Sequence, residues 1–469
     1  MTTPYDTVAY PSAVHQITHP ERLGVAARLA GLDSAAMERA RVLEIGGGDC
    51  LGLIAFAAAY PGSVCHGFDL AASTIARGQV IAGAAVPNIT LQVADIMTAH
   101  EVYPAGAFDY VIAHGVYAWV PAPVRAALMA LIAHVLAPHG VALVSYNALP
   151  GGHIRQMLRE MVLHMVEDVT DPAERIGQAR TFLEAYARPR DDDDPLQAGL
   201  RLQAAAMAER PPTVLIHDEM GDCFAPQSLS QVVAAANSAG LRFLTDGGRD
   251  RLLHGFLDHG AGPSDNPDRD VLAAAQIYDY ANLTFFRSTL LARADAPIDR
   301  RLDPARMNGL WASAAFNALG GKEFSVGDDR FTIDDPDFAG RMRNLADVAP
   351  ARLPVSDLVA SPEQGMALID LVREWYAHLH FGPAPYAIVP GERPCTSALV
   401  RQTLARGEKL VVTLAHRMLH IDKPALAALL LAADGTRSID EICAMSHGIA
   451  SAEVRPALAK AGSLGLLIA

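Results

Sequence analysis

Residues 42–52 read VLEIGGGDCLG: an apolar strand reaching Glu44, three glycines and an acid, then an apolar run, Leu51–Ala59, composed like a buried helix. A glycine turn between a buried strand and a helix N-terminus lets a ligand approach backbone N–H groups that a side chain would shield. Open α/β sheets begin with this unit and bind their ligands at the carboxyl ends of the strands. The spacing argues against one common use of it. A dinucleotide fingerprint, G-x-G-x-x-G, needs a third glycine where this chain has Leu51, so a pyrophosphate on the helix end is not expected.

The register that fits is acid-x-G-x-G-x, formed by Glu44, Gly46 and Gly48. It resembles motif I of class I S-adenosylmethionine-dependent methyltransferases, with Cys50 where many of them carry another glycine. The implied ligand has no phosphate; it carries an ammonium and a positive sulfur, which suit an acid at the strand end. A second strand over residues 63–68 leads to Asp69, at the distance where such folds place a ribose-binding acid, with Leu70 beside it. A third strand, Ile89–Val93, leads to Asp95 and Ile96. In the methyltransferase pattern that aspartate takes the adenine amino group and its apolar neighbour packs on the ring. Each acid alone could be a helix N-cap; their succession after motif I points to a nucleoside.

Strand and helix patterns alternate as far as residue 146. The fourth strand is Phe108–Ala113 and the fifth 141–146, with a helix over 123–136 between them, which predicts a doubly wound parallel sheet. From 151 to 212 the pattern turns helical, at 155–169, at 172–187 and up to Glu209, interrupted by a loop with aspartates at 191–194 that reads as solvated. Such an insertion could form a lid over the substrate. A helix at 229–239, a strand at 241–245 and a last, antiparallel strand at 284–292 resume the sheet, so a methyltransferase-type domain is expected over 1–295. Two small winged-helix-like modules should follow, at 296–390 with a hairpin over 324–333, and at 391–469, mostly helical around the turn 434–437.

Composition narrows the partners. The length of 469 residues suggests about two to four domains. Five cysteines, at 50, 65, 223, 395 and 443, show no C-x-x-C spacing, which fits a reducing compartment and no structural zinc. The N-terminal MTTPYDTVAYP lacks a basic region followed by an apolar core, and no apolar run approaches a bilayer span. A cytoplasmic protein without stable membrane insertion is therefore expected. The net charge of −14 argues against nucleic acid and is compatible with a cationic substrate such as a lysine-bearing polypeptide. Winged helices can bind DNA, but residues 391–469 hold nine Lys/Arg against seven Asp/Glu and no basic run. Protein contact, formation of a homodimer or substrate docking is expected there instead.

The chemistry should lie where the fourth and fifth strands end, in AHGVYAWVP (113–121) and SYNALPGGH (145–153). Displacement at a sulfonium methyl needs an in-line nucleophile held close, and little else from the protein. If that nucleophile is a lysine amine, a wall of Tyr117, Trp119 and Tyr146 would desolvate the ammonium, lower its pKa and hold it by cation–π contact. Asn147 or a tyrosine hydroxyl could orient the amine. His114 could accept a proton directly or through water, or serve as a structural histidine.

Over these same stretches the likeness becomes narrower. AHGVYAWVP, a fifth strand ending SYN and a PG-x-H-x-R stretch are similar to bacterial protein-lysine methyltransferases that carry a methyltransferase regulatory domain, including enzymes acting on outer-membrane proteins. The opening YDTVAYPSAVHQITHPERL, LIHDEM at 215–220, NLTFFRSTLL at 282–291 and DGTRSIDEI at 434–442 match that family too. The resemblance implies S-adenosylmethionine as cofactor, S-adenosylhomocysteine as product and accessory modules shaping a protein-substrate cleft. It adds Tyr5 and His19 to the cofactor residues Glu44, Gly46, Gly48, Asp69, Leu70, Asp95, Ile96 and His114. Two departures bear on the acceptor: Gly152 replaces an expected bulky aromatic, and Ala118 stands where serine is usual. A small-molecule or biosynthetic-peptide acceptor is the first alternative, and a non-catalytic binding protein with this fold the second. His416 and His420, four apart, would share a helical face with metal-ligand spacing, but no acid or cysteine nearby completes a site, so packing is expected. His378 and His380 are expected as interfacial polar groups.

Overall fold

Val42, Leu43 and Ile45 are fully buried, and they make β1 (Arg41–Ile45) the centre of a seven-stranded sheet. The computed structural model describes residues 4–190, 194–247, 266–445 and 448–468. The other strands are β2 (Val64–Asp69), β3 (Ile89–Val93), β4 (Phe108–Ala113), β5 (Leu136–Asn147), β6 (Leu241–Asp246) and β7 (Phe286–Arg293). They lie in the order β3-β2-β1-β4-β5-β7-β6. The first five run parallel, and β7 is inserted antiparallel between β5 and β6. This is the class I methyltransferase arrangement the sequence implied. One boundary moves: β5 begins at Leu136, which pairs with Phe108 ahead of a register shift, so the preceding helix is Ala122–Val135.

Each face of the sheet has its own core, as alternation along buried strands requires. One side packs helices Pro20–Leu29 and Leu51–Ala59, the latter apolar all round because it is enclosed, together with Leu399, Val412 and Leu414 from the far end of the chain. The other side packs helices Ala122–Val135 and Leu229–Ser238.

The insertion is helical as expected, over Gly151–Met165, Pro172–Tyr186 and Pro195–Ala208. It holds a separate core around Leu158, Val162, Ala179, Leu183 and Met207. Its first helix starts four residues before the expected 155, because Gly151 lets the chain approach the Leu283 carbonyl, where a Cβ would come within 2.5 Å. Of the aspartate run, residues 191–193 lie outside the described residues; Asp194 caps the next helix in a capping box with Gln197. Beyond β7, strands at Trp311–Ala314, Leu353–Pro354 and Ala377–His380 form one small sheet, and the 317–332 stretch forms another, which contains the expected hairpin. Their common core includes Phe316, Phe324, Phe338, Met342 and Leu368, and Val25 of the N-terminal helix joins it.

The histidine pair differs from expectation. His420 lies on the strand Met418–His420, and His416 in the turn joining it to Leu410–Val412, at a φ of +56°. A tight hairpin, not a helix, occupies this stretch, so the two share no helical face. His416 is buried against the ring of His19, 4.8 Å away.

Candidate active site at the carboxyl ends of the strands

The turn after β1 uses its glycines for different reasons. Gly46 and Gly48 both have positive φ, +64° and +60°, which other residues adopt at a cost. A Cβ on Gly46 would also strike Val116 at 2.6 Å, whereas nothing stands within 4 Å of one on Gly48, which faces open space. Cys50 adopts +54°, the left-handed conformation that explains why a glycine is frequent there. Its thiol bonds to Glu44.

Glu44 lies beneath this turn with Oε2 buried and without a hydrogen-bond partner. Burial, then the nearby Asp49 and Asp69, pushes its carboxyl up to about 8. Asp69 at the end of β2 accepts from Gly48 N at 2.9 Å and from Ala71 N at 2.8 Å. Burial raises its pKa against these bonds. At the end of β3, Asp95 accepts from Met97 N at 2.9 Å, and Ile96 packs half-buried on the sheet core. Leu70 is exposed. An orphaned carboxylate oxygen, two further acids and an open face over Gly48 fit a ligand with hydroxyls and positive charge. The group the sequence implied meets that description.

Residues 5–16 cross this turn as a strap that the sequence did not reveal. Asp6 accepts from Ser73 N and Oγ at 3.0 and 2.7 Å, Ser12 bonds to Asp49, and Gln16 bonds to the His416 carbonyl. Asp49 is itself buried and paired with Arg77 at 2.9 Å. His15 packs on His114 with ring centroids 4.4 Å apart. Tyr5 stacks on His217 at 4.4 Å, and Val8 O meets His217 Nε2 at 2.7 Å. Asp49 stood within the opening motif, so its acid was visible; its partners were far away in sequence.

His19 is not brought to the turn. It caps helix Pro20–Leu29 by accepting from Glu21 N at 3.1 Å, and packs on Phe56 and Tyr60 toward the opposite end of helix Leu51–Ala59. Its expected contact with cofactor is corrected by this geometry.

At the ends of β4 and β5 the expected residues divide. His114 Nδ1 and Asn147 Oδ1 are both buried and lack a partner. Both flank Phe286, which pairs with Asn147 in register and lies 5.9 Å from the His114 ring. Burial, with a smaller effect of His15, pushes His114 down to about 3, so the imidazole is neutral. Tyr117 is buried, 6.2 Å from Tyr146. Tyr146 corrects the expected aromatic wall: it is enclosed in the core, and its hydroxyl is tied to Thr289 Oγ1 at 3.0 Å. Trp119 packs at 5.0 Å on Phe224 and has Arg155 at 5.0 Å from its ring, so an internal cation already occupies one face.

Arg155 belongs to a cluster on the short π-helix Leu215–Glu219, a geometry found often at functional sites. It bonds Glu219 at 2.6 Å and Asp218 at 3.1 Å, and Arg210 also pairs with Glu219. The Tyr10 hydroxyl bonds to Asp218, and burial followed by that acid raises its pKa. LIHDEM pointed to this segment without giving it a role. Both departures also find partners: a Cβ on Gly152 would meet Pro226 at 2.6 Å, and Ala118 is buried with its carbonyl accepting from Ala225 N at 2.8 Å. Among the described residues, no group of three His, Cys, Asp or Glu could hold a metal ion, and no helix is long and apolar enough to cross a membrane.

Comparison with known proteins agrees with this architecture. Residues 42–140 match a family model described as a methyltransferase domain, and residues 211–293 one described as a predicted methyltransferase regulatory domain. The uncharacterized protein RP028 of Rickettsia prowazekii is 31% identical over 220 residues, covering 46% of this chain and 87% of that protein. The uncharacterized protein RP789 of the same organism is 28% identical over 302 residues, 64% of this chain and 54% of its own length. Among solved structures, PKMT2 from Rickettsia typhi superposes with a TM-score of 0.79 at 21% identity, over 98% of this chain and 100% of that one. Its complex with AdoHcy superposes with a TM-score of 0.80 over the same shares.

Proposed function

Because the chain belongs to the class I S-adenosylmethionine-dependent methyltransferases that carry a methyltransferase regulatory domain, we propose that it methylates a lysine side-chain amine of a protein. One observation carries the lysine assignment. At the ends of β4 and β5, His114 Nδ1 and Asn147 Oδ1 are buried and without a hydrogen-bond partner. Leaving such atoms unsatisfied costs about 1–3 kcal/mol each, and an amine, with N–H groups and a lone pair, can pair with both. The likeness in fold to the protein named PKMT2 is in keeping with this reading.

The cofactor supplies a methyl group activated on its sulfonium. Glu44 would hold its positively charged end and Asp69 its ribose, while Asp95 and Ile96 would take the adenine. The strap over 5–16 would close above them and exclude water. His114, neutral through burial, adds no charge to repel an incoming ammonium; its weak basicity makes it an orienting acceptor rather than a proton store. The modules over 296–390 and 391–469 would flank the bound polypeptide.

Incubation with methyl-labelled cofactor and host lysate, followed by digestion and mass spectrometry, should place label on lysine. Label found only in small solutes would overturn the assignment. Asn147→Ala should lower turnover by about tenfold, the loss of one oriented hydrogen bond, with cofactor affinity within about twofold. Unchanged turnover would remove Asn147 from the mechanism.

A further inference from the structure

A cavity of about 480 Å³ lies between helix Pro20–Leu29, the small sheet holding Ala377–His380 and the hairpin that contains Arg417. The turn at Gly46–Gly48 does not line it. In a chain of net charge −14, its walls carry an excess of positive charge. The lining acids are already engaged: Glu21 by His380 and Arg352, Asp246 by Arg287, and Asp299 by Arg301 and Arg306. Arg300 is likewise held, by Asp268. Arg22 and Arg417 make no ion pair among the described residues. Arg22 lies over the Trp375 ring, 3.9 Å from its centroid, and burial pushes its basicity down to about 10. Arg373, in the same wall, pairs with Asp370 at 3.1 Å and keeps its Nε buried without a partner. Trp375 holds a φ of +63°, a strained conformation for a bulky residue and one that recurs at ligand sites.

A half-buried guanidinium without a counter-charge is costly unless something supplies one. We propose that this cavity is a second ligand site, which takes a small organic anion, a carboxylate or a phosphate ester, on Arg22 and Arg417, with its uncharged part against Tyr60 and Tyr386. The site is separate from the turn at Gly46–Gly48, so its ligand is not the methyl donor. Three parts of the chain contribute to it, so a bound anion would tie the helix after the strap to both downstream regions.

The test is thermal denaturation of the full chain in inorganic phosphate and, separately, in succinate, with ionic strength held by chloride. At least one anion should raise Tm by about 2–4 °C. The variant Arg22→Gln/Arg417→Gln should lose that rise while keeping its affinity for S-adenosylmethionine within about twofold. Phosphate also stabilises proteins by exclusion from their surface, which would raise wild type and variant equally. Equal rises, or no rise with either anion, would overturn the proposal. Should the double variant fail to fold, Arg417→Gln alone, at the exposed rim, should weaken the anion's half-maximal effect by about fivefold; an unchanged effect would equally overturn it. A response to phosphate alone would assign a phosphate ester, and one to succinate alone a carboxylate.

Discussion

Glu44 sits beneath the glycine turn, where burial and neighbouring acids oppose its charge. With its carboxyl pushed up to about 8, it is largely protonated in the free protein at neutral pH, and a cationic ligand end should expel the proton. Cofactor affinity should therefore rise with pH, by up to about tenfold per unit below 8, and flatten above it. Calorimetry in buffers of different ionisation enthalpy should register the proton release, and Glu44→Gln should abolish it. For stability the sign is set by the same shift. A raised carboxyl favours the folded state fully below its unfolded value of 4.5, and that contribution is lost as pH rises through about 8. Tyr146 gives a second prediction. Its hydroxyl is committed to Thr289, so Tyr146→Phe should cost about 1 kcal/mol of stability in a denaturant melt and leave turnover nearly unchanged. Acids and glycines of the turn were legible in the sequence because their spacing is local. Tyr146 was not, because its neighbours on a strand end say nothing of which way a hydroxyl faces once β7 is paired beside it.

Among the elements, helix Pro20–Leu29 joins the sheet to the downstream regions. Glu21 in its first turn accepts from His380 at 2.9 Å, from Arg352 at 3.2 Å and from Phe381 N at 3.1 Å. Burial opposes its charge, but His380 and Arg352 prevail and hold its carboxyl down to about 2. The stability it contributes is present above the unfolded value near 4.5 and is lost as pH falls through about 2. Glu21→Ala would leave Arg352 and His380 without their acid and should cost about 3–5 kcal/mol, measurable as a lower Tm for the full chain. His378 and His380 were expected at an interface, and His380 bridges the N-terminal helix to the strand Ala377–His380. The strap was not legible. Asp6, Ser12 and His15 lie in a stretch without periodicity, and each finds its partner far along the chain, at Ser73, Asp49 and His114.

At the scale of the whole molecule, the sheet's core is completed from outside its own segment. Leu399, Val412 and Leu414 are buried against the same cluster as Phe56, Leu53 and Val42. A fragment ending at 295 should therefore expose apolar surface and bind a hydrophobic dye or aggregate, whereas the full chain should not. A soluble, cooperatively melting fragment would show that these three residues add little.

The sequence by itself determined the sheet, its glycine turn and the acids at three strand ends. All of these follow from local alternation of apolar and polar residues and from turn chemistry, which act over a few residues. Tertiary structure alone decided that His19 caps a helix away from the turn, that Arg155 covers Trp119, and that Glu44 and Asn147 keep unpartnered oxygens. Burial and pairing are properties of segments brought together from distant positions, and no local pattern encodes which of them meet.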